Sequence, residues 1–340
     1  MTSRVFALVS TFSLLAAVLI SGCSQRQEII EQTVAVKGQD AATEALNMYV
    51  DEALVTWTSE QEVDPGFEKA TAVAFDGADA LYVAGDEAVR KMTGDGQVEW
   101  EMPVSGEPLC LTIGPDGSIV VGLRDRVEVY DQGGQLTDAA DIGEHRTWLT
   151  SVAVGAGGIY IADAGNRRIL RYGNDGQLSV FISKDDGRDS PPLSVPSPHL
   201  DVKTIVPENS SAGLASELVV VNPGRHSLQY HSLPGGDMQR SWDSSGNSVE
   251  GFGGCCNPTD IAILPGGRVA TSEKGVPRVK VYSADGEFLS VVAPPDDFRP
   301  GSSGIDIAAD SQGRIAVLDP KRSVVRLYVE KNSDQETVSE

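Results

Sequence analysis

Histidine and basic residues are scarce in this sequence, and familiar catalytic motifs are missing. The 4 histidines form no His-x-His pair, so a zinc centre with three or four ligands is not expected. Lys and Arg total 27 against 49 Asp and Glu, for a net charge of −22. This balance argues against nucleic acid as a partner and against adhesion to anionic lipid, because both need basic surfaces. Gly-x-Ser-x-Gly, P-loop and His-Glu-x-x-His motifs are absent, so those enzyme classes have no support.

One long apolar run is present, at the N-terminus. Arg4 precedes an apolar stretch from Val5 to Ile20, which leads into Ile20-Ser21-Gly22-Cys23. This arrangement is typical of a signal peptide rather than a membrane-spanning helix. The last four residues resemble the lipobox of bacterial lipoproteins, which implies cleavage after residue 22 and lipid on Cys23. The following Ser24, by the same resemblance, favours the outer membrane. An ordinary signal peptide or an uncleaved anchor is the alternative.

The predicted cleavage site and the terminal segments delimit the folded part of the chain. Residues 1–22 are the predicted signal peptide, and residues 23–50, poor in aromatic residues and without a strand pattern, are interpreted as a tether. Residues 331–340 are polar and acidic and are expected to be disordered. Three cysteines remain beside the lipidated one, an odd number that cannot form a complete disulfide framework.

An internal repeat fills residues 53–330. Each copy consists of an apolar strand, a Gly turn, a second strand, a polar loop, a third strand, another Gly turn and a fourth strand. The third copy shows the unit most fully, from Ser151 to Phe181. The residues that end the third strands are Met92, Tyr130, Tyr172, Tyr230, Tyr282 and Tyr328. Four-stranded units that recur about every 40 residues predict a β-propeller, here with six blades.

The sixth copy lacks a fourth strand. No strand pattern follows Tyr328, whereas a spare strand from Ala53 to Thr58 precedes the first copy. We therefore predict an all-β, six-bladed propeller in which the N-terminal strand completes the last blade. Such closure removes an exposed sheet edge, which would otherwise favour aggregation.

The segment Ile159-Tyr-Ile-Ala-Asp-Ala-Gly-Asn-Arg-Arg-Ile169 resembles an NHL repeat, and the segments that begin at Asn257 and Ser303 resemble the start of the same motif. The resemblance covers residues 53–330 and implies a six-bladed propeller of the NHL type. It implies less about activity. Propellers of this family serve as protein-binding platforms, RNA-binding surfaces, sensor domains and, rarely, lyases, and related propellers include gluconolactonase-like hydrolases.

Three aspartates, Asp201, Asp260 and Asp306, occupy one repeat position just before an inner strand. Because inner strands surround the channel of a propeller, these side chains are expected to lie around one of its mouths. Three converging carboxylates are a candidate Ca²⁺ site, since this cation prefers oxygen ligands. The alternative is that each aspartate accepts backbone N–H groups from its own blade turn.

Cys255 and Cys256 are adjacent in a Gly-rich turn before the inner strand of the fifth copy. They are candidates for a vicinal disulfide, a redox pair or, together with Cys110, soft-metal thiolates. Cys110 begins the inner strand of the second copy, across the ring, which makes a three-cysteine site geometrically awkward. A rigid structural turn is the alternative.

Arg126, Arg168 and Arg278 share a repeat position near the start of the third strand, and we align His226, next to Arg225, with them in the fourth copy. On an acidic protein, a basic patch on one face predicts a site for an anion or a partner. The alternative is local pairing with neighbouring acids, which is common and weak at protein surfaces.

No catalytic constellation is evident, so we expect a non-enzymatic binding or scaffold module in the cell envelope. Its partner is expected to be a protein or a polymer that lies over one channel mouth, on a face shaped by insertions at residues 190–198 and 241–254. The alternative function is a metal-dependent enzyme of the lactonase or lyase kind, which would use the three aspartates in the channel.

Overall fold

This computed structural model describes residues 49–183, 191–206 and 215–331. These residues contain twenty-four strands and four short 3₁₀ segments, joined by turns and loops. The predicted signal peptide, Cys23, nearly all of the predicted tether and the predicted tail beyond Lys331 lie outside those residues. Within the described ranges, no helix has the length and apolar character needed to cross a bilayer.

The strands form six antiparallel sheets of four strands each, the blades. Strand β1 (Trp57–Val63) comes first in the chain but belongs to the last blade. Blade one contains β2 (Ala70–Phe75), β3 (Leu81–Gly85), β4 (Ala88–Met92) and β5 (Val98–Pro103). Blade two contains β6 (Cys110–Ile113), β7 (Ile119–Gly122), β8 (Arg126–Tyr130) and β9 (Leu136–Asp141). Blade three contains β10 (Leu149–Gly155), β11 (Gly158–Asp163), β12 (Arg168–Gly173) and β13 (Leu178–Ser183).

The remaining three blades follow the same plan. Blade four contains β14 (Val202–Ile205), β15 (Glu217–Asn222), β16 (Ser227–Ser232) and β17 (Met238–Asp243). Blade five contains β18 (Asp260–Ile263), β19 (Val269–Glu273), β20 (Arg278–Tyr282) and β21 (Phe288–Ala293). Blade six contains β22 (Asp306–Ala309), β23 (Ile315–Asp319), β24 (Val324–Glu330) and, outermost, β1. The 3₁₀ segments are Glu52–Leu54, Pro223–Arg225, Pro265–Gly267 and Pro295–Asp297.

The innermost strands β2, β6, β10, β14, β18 and β22 contact one another in that order, and β22 contacts β2, which closes the ring.

Glycines occupy the tight turns between strands that the repeat requires. At the β10–β11 turn, Gly158 has φ +135°, and a Cβ there would lie 2.1 Å from the carbonyl oxygen of Tyr172. Only glycine fits such a position, because other residues rarely adopt this backbone conformation.

Closure by the N-terminal strand is confirmed. Strand β1 pairs antiparallel with β24, from Trp57 opposite Glu330 to Val63 opposite Val325. The strand begins four residues later than predicted, because Glu52–Leu54 form a 3₁₀ turn instead. Trp57 is 2% exposed and packs in the apolar cluster between blades five and six.

The packing register of blade four differs from our alignment. Tyr130, Tyr282 and Tyr328 each pack against the preceding blade. Tyr230 instead packs with blade-five residues, and its neighbour His231, paired with Leu218, lies on the side that faces blade three. His231 is therefore the equivalent residue, because adjacent residues of a strand point to opposite faces.

Candidate functional site

One end of the central channel carries most of the candidate residues. We call the end at which the innermost strands begin the upper face. In an antiparallel four-stranded blade, the loop between strands two and three and the connection to the next blade lie at the same end. A cavity of about 140 Å³ opens there. Its lining includes residues at or just before the start of each inner strand, together with Trp148 and His199. These residues are Thr71, Leu109, Thr150, Leu200, Thr259 and Ile305.

Directly below this mouth lies what we call the channel ring, to which each blade contributes one side chain at or just before the start of its inner strand. Its members are Ala72, Cys110, Ser151, Asp201, Asp260 and Asp306. The three aspartates therefore do lie together at the channel, and two of them, Asp260 and Asp306, line the mouth cavity.

The ring aspartates bind the neighbouring blade rather than their own turn. Asp201 accepts a hydrogen bond from the backbone nitrogen of Ile261 in blade five, at 2.8 Å. Asp260 accepts one from Ile307 in blade six, at 3.2 Å. The alternative interpretation, that each aspartate accepts N–H groups of its own blade turn, was therefore wrong. Each carboxylate instead joins two consecutive inner strands.

Lys203 completes this group and was missed in the sequence. Its ammonium lies 3.1 Å from a carboxylate oxygen of Asp201. Burial opposes the charge on Lys203, but the negative charges of the three carboxylates outweigh burial and raise the pKa of the ammonium. Lys203 also lines a second cavity of about 170 Å³, at the opposite end of the channel.

The acids of this group do not all ionise easily. Burial, followed by the negative charge of Asp201, raises the pKa of Asp260 well above its usual range. Burial also raises the pKa of Asp306, which is a hydrogen-bond neighbour of Asp260.

This arrangement bears on the calcium hypothesis. Each of the three aspartates has one oxygen bound to a backbone nitrogen, and the second oxygen of Asp201 faces Lys203. In the described part of the chain, no three His, Cys, Asp or Glu side chains are arranged to hold a metal ion. The calcium site stays a prediction, to be tested by calcium titration of the purified chain.

The predicted arginine set lies at the upper face, mostly in local ion pairs. Arg126 pairs with Glu128 and Asp141, Arg168 with Asp163 and Glu144, and Arg278 with Glu273. Arg278 is only 3% exposed. His226 is not equivalent to these arginines, since Ser227 pairs with Asn222 as Arg278 pairs with Glu273. The Nδ1 atom of His226 instead lies 3.1 Å from the carbonyl oxygen of Asn257.

A different set of cations stands around the mouth. Five blades place a basic residue in the loop between strands two and three, and we call this set the cation rim. Its members are Arg124, Arg167, Arg225, Lys274 and Lys321. Arg322, beside Lys321 in the same loop, is not counted because it pairs with Glu62 and Asp319. Among the described residues, none of the five forms an ion pair with an acid. Arg225 and Lys321 donate to the carbonyl oxygens of Pro192 and Pro300, and Arg124 lies over the ring of Trp148.

The opposite, lower face is acidic. Its turns carry Asp76, Asp79, Asp95, Asp116, Asp131, Asp175, Asp237, Asp285, Glu287 and Asp310. The basic residues in the described lower turns are Arg268 and Arg314, and both pair with acids. Many of these aspartates hold backbone nitrogens of their own turns; Asp131, for example, accepts from Gly133 and Gln135. Acidic residues therefore outnumber basic ones in the lower turns.

The two predicted insertions connect blades at the upper face. The first supplies Pro198 to the mouth cavity. The second reaches into the gap between blades four and five, where Phe252 is buried against Tyr282. The buried ammonium of Lys280 donates to the carbonyl oxygens of Val249 and Gly251 and anchors this loop. Burial lowers the pKa of Lys280 to about 8.

A larger cavity, of about 780 Å³, lies at the lower ends of blades two and three. Its apolar lining includes Val129, Val154 and Ile159, all half-buried. Tyr172 packs only partly into this gap and donates to Asp138 at 2.9 Å. The gap is therefore less completely filled than the one that Phe252 occupies, and nothing in the sequence pattern had indicated it.

Cys255 and Cys256 lie in the second connection, close to the cation rim. Both are free thiols, and their sulfur atoms are 3.0 Å apart. Cys255 is exposed, whereas Cys256 is buried. Cys110 belongs to the channel ring, where its thiol faces the carbonyl oxygen of Gly122. The three cysteines therefore occupy two separate environments.

Comparison with known proteins supports the fold. No protein-family model matches the chain, and no curated protein matches it. Solved structures that are similar include a protein of unknown function from Bacteroides thetaiotaomicron VPI-5482, with a TM-score of 0.57 and 13% identity over 80% of this chain and 75% of that one. The WD40 β-propeller domain of Doa1 gives a TM-score of 0.53 and 16% identity over 78% and 80% of the two chains. The chain is a six-bladed β-propeller.

A third similar structure, a protein of unknown function from Bacteroides caccae, has a TM-score of 0.52 and 15% identity over 72% of this chain and 87% of that one. Identities this low show the fold alone. The propeller fold suits a binding or scaffold module, because its faces present loops from every blade. The resemblance to NHL repeats stays a prediction.

Proposed function

We propose that this chain is a lipid-anchored propeller of the NHL type that serves as a binding or scaffold module in the cell envelope. Its ligand would be an acidic segment of a partner protein, docked on the upper face across the channel mouth. The observation that carries this proposal is the cation rim: five blades present a loop cation around one mouth of a chain with net charge −22.

The anchor rests on the sequence. The lipobox-like residues Ile20-Ser21-Gly22-Cys23 predict a diacylglyceryl group on Cys23, and Ser24 favours the outer membrane. Two or more acyl chains give stable anchoring, because each buried methylene contributes about 0.8 kcal/mol. The propeller would then work at a membrane surface, facing the periplasm or the exterior.

Charge and exposure favour the upper face as the docking surface. Arg124, Arg167 and Arg225 are exposed. Cations without acidic partners keep their field available to a ligand, and that field raises the rate of encounter with an acidic one. Trp148, whose exposed fraction is 38%, lies beside Arg124. Tryptophan and arginine are the side chains that most often dominate binding energy at protein interfaces.

A short acidic protein segment fits this surface better than a long polyanion does. The acidic lower face and the net charge of −22 repel any polyanion that extends beyond the upper loops. A protein segment of limited length meets the rim and Trp148 without approaching the lower face. Nucleic acid, a long polyanion, is for the same reason not the proposed ligand.

The proposal can be tested with a fluorescent, glutamate-rich peptide that contains two aromatic residues, titrated against the detergent-solubilised full chain. We expect saturable binding that weakens as salt rises, because salt screens exposed charges. Replacing Arg124 and Arg167 together with glutamine should weaken the affinity by about tenfold or more, which corresponds to about 1.4 kcal/mol.

The matched control replaces Arg268 and Arg314 of the lower face with glutamine, and this variant should bind like the unmodified chain. Equal affinity of the rim variant and the control would overturn the proposal. So would binding of a single-stranded RNA oligomer with the same affinity and the same dependence on the rim.

A further inference from the structure

The adjacent thiols have a geometry suited to reversible chemistry. Gly254, with φ +77°, precedes Cys255 in the connection between blades four and five. The two sulfur atoms are 3.0 Å apart, about 1 Å more than the length of a disulfide bond. Cys255 is exposed, so reagents reach it, whereas Cys256 is 1% exposed and lies directly behind it. One thiol is therefore accessible, and the other is held beside it.

The surroundings of Cys256 favour its thiolate. Burial raises the pKa of Cys256, but the contact with Cys255 and the proximity of Lys274 outweigh burial and lower it. The contact with Cys256 raises the pKa of Cys255. In the described ranges, Lys274 has no acidic partner, so its positive charge is available to the sulfur.

We propose that Cys255 and Cys256 form a thiol–disulfide exchange site at the edge of the channel mouth. A disulfide of a partner protein or of a small thiol would oxidise the pair to a Cys255–Cys256 disulfide. The site does not depend on the binding function proposed above. The exposed position of Cys255 and the 3.0 Å contact to Cys256 give the order of events.

The exchange balances in two steps. Cys255 passes its proton to the Cys256 thiolate across the 3.0 Å contact, and the Cys255 thiolate attacks one sulfur of the external disulfide, which forms a mixed disulfide. The thiolate that is released takes up that proton from Cys256. The thiolate of Cys256 then attacks the sulfur of Cys255, which forms the Cys255–Cys256 bond and releases the second thiolate. The two protein sulfurs are oxidised to a disulfide, the external disulfide is reduced to one thiol and one thiolate, and the proton of Cys255 leaves with that thiol.

The test treats the full chain with glutathione disulfide, denatures it, and alkylates the free thiols before mass spectrometry of the peptides. We expect Cys255 and Cys256 to lose alkylation together, with a loss of two hydrogens, and to regain it after dithiothreitol. Cys110, buried in the channel ring, should stay alkylated in both states and serves as the internal reference.

Two variants separate this site from a reactive surface cysteine. Cys256→Ser should trap glutathione on Cys255 as a stable mixed disulfide. Lys274→Gln should shift the pH dependence of closure to higher pH, while Lys321→Gln, another rim lysine, should leave it unchanged. Persistent glutathione on Cys255 in the unmodified chain, with Cys256 still alkylated, would overturn the proposal, as would closure that occurs equally fast without Lys274.

Discussion

A carboxylate oxygen of Asp306, in the last blade, accepts a 2.7 Å hydrogen bond from the backbone nitrogen of Val73, in the first. The ring is therefore closed twice, once at its outer edge and once at the central channel. At the outer edge of the propeller, the N-terminal strand β1 pairs with β24 and completes blade six. At the channel, the side chain of Asp306 joins blade six to blade one, which repeats the Asp201 and Asp260 bonds between the preceding blades.

The inner closure predicts the effect of substitutions at Asp306. Replacing Asp306 with alanine should lower the free energy of unfolding by about 1–3 kcal/mol, because the nitrogen of Val73 loses its hydrogen-bond partner. Asp306→Asn keeps an acceptor oxygen and should restore most of that loss. Urea unfolding followed by tryptophan fluorescence measures both. Equal midpoints for the alanine variant and the unmodified chain would refute the inner closure.

The raised pKa of Asp260 predicts a pH dependence. The folded chain binds this proton more tightly than the unfolded chain does, so stability falls as pH rises from the unfolded value, near 3.8, through the folded one. Asp260→Asn cannot lose a proton, and it keeps both an oxygen for Ile307 and a donor for Asp306. We therefore expect the variant to gain stability relative to the unmodified chain as pH rises from 4 to 8.

The control for this comparison is Asp285→Asn, an exposed aspartate in a turn of the lower face. Its unfolding midpoint should follow that of the unmodified chain at every pH. Parallel pH profiles for the Asp260 variant and the control would mean that Asp260 is ionised throughout this range.

The outer closure predicts a strong dependence on Trp57. Trp57→Ala should destabilise the propeller by about 3–5 kcal/mol, because it leaves a cavity between blades five and six. It also removes the donor of a 3.1 Å bond to Ser290. Thr58→Ala, at the exposed neighbouring position of the same strand, should change stability by less than about 0.5 kcal/mol. Similar midpoints for the two variants would contradict the role of β1.

The blade number and the closure were predictable because turn glycines and strand periods recur along the chain, and because the last copy lacks its own fourth strand. The side-chain register of blade four was not. Tyr230 and His231 both lie near the end of the same strand, and choosing between them exchanges the two faces of that strand. The three-dimensional pairing of His231 with Leu218 resolves the choice.

The channel site was partly predictable for a related reason. The repeat aligned Asp201 with Asp260, but their partners lie in neighbouring blades, and the Asp201–Ile261 bond spans 60 residues. No periodicity within one blade indicates such a contact. Lys203 could have been found, since a residue two positions after Asp201 on a strand points to the same face. The cation rim was not predicted because its members occupy different positions within their loops, so no repeat period aligns them.

The anchor proposal leads to a prediction outside the described residues. Cells that express the chain should incorporate labelled palmitate into it, and Cys23→Ala should abolish the label and move the protein from the membrane fraction to the soluble fraction. Cys110→Ala is the matched control, since Cys110 lies in the channel ring, and this variant should keep both the label and the membrane association. Membrane association of the Cys23 variant without label would indicate an uncleaved anchor, because an apolar run can hold a protein in a membrane without any lipid.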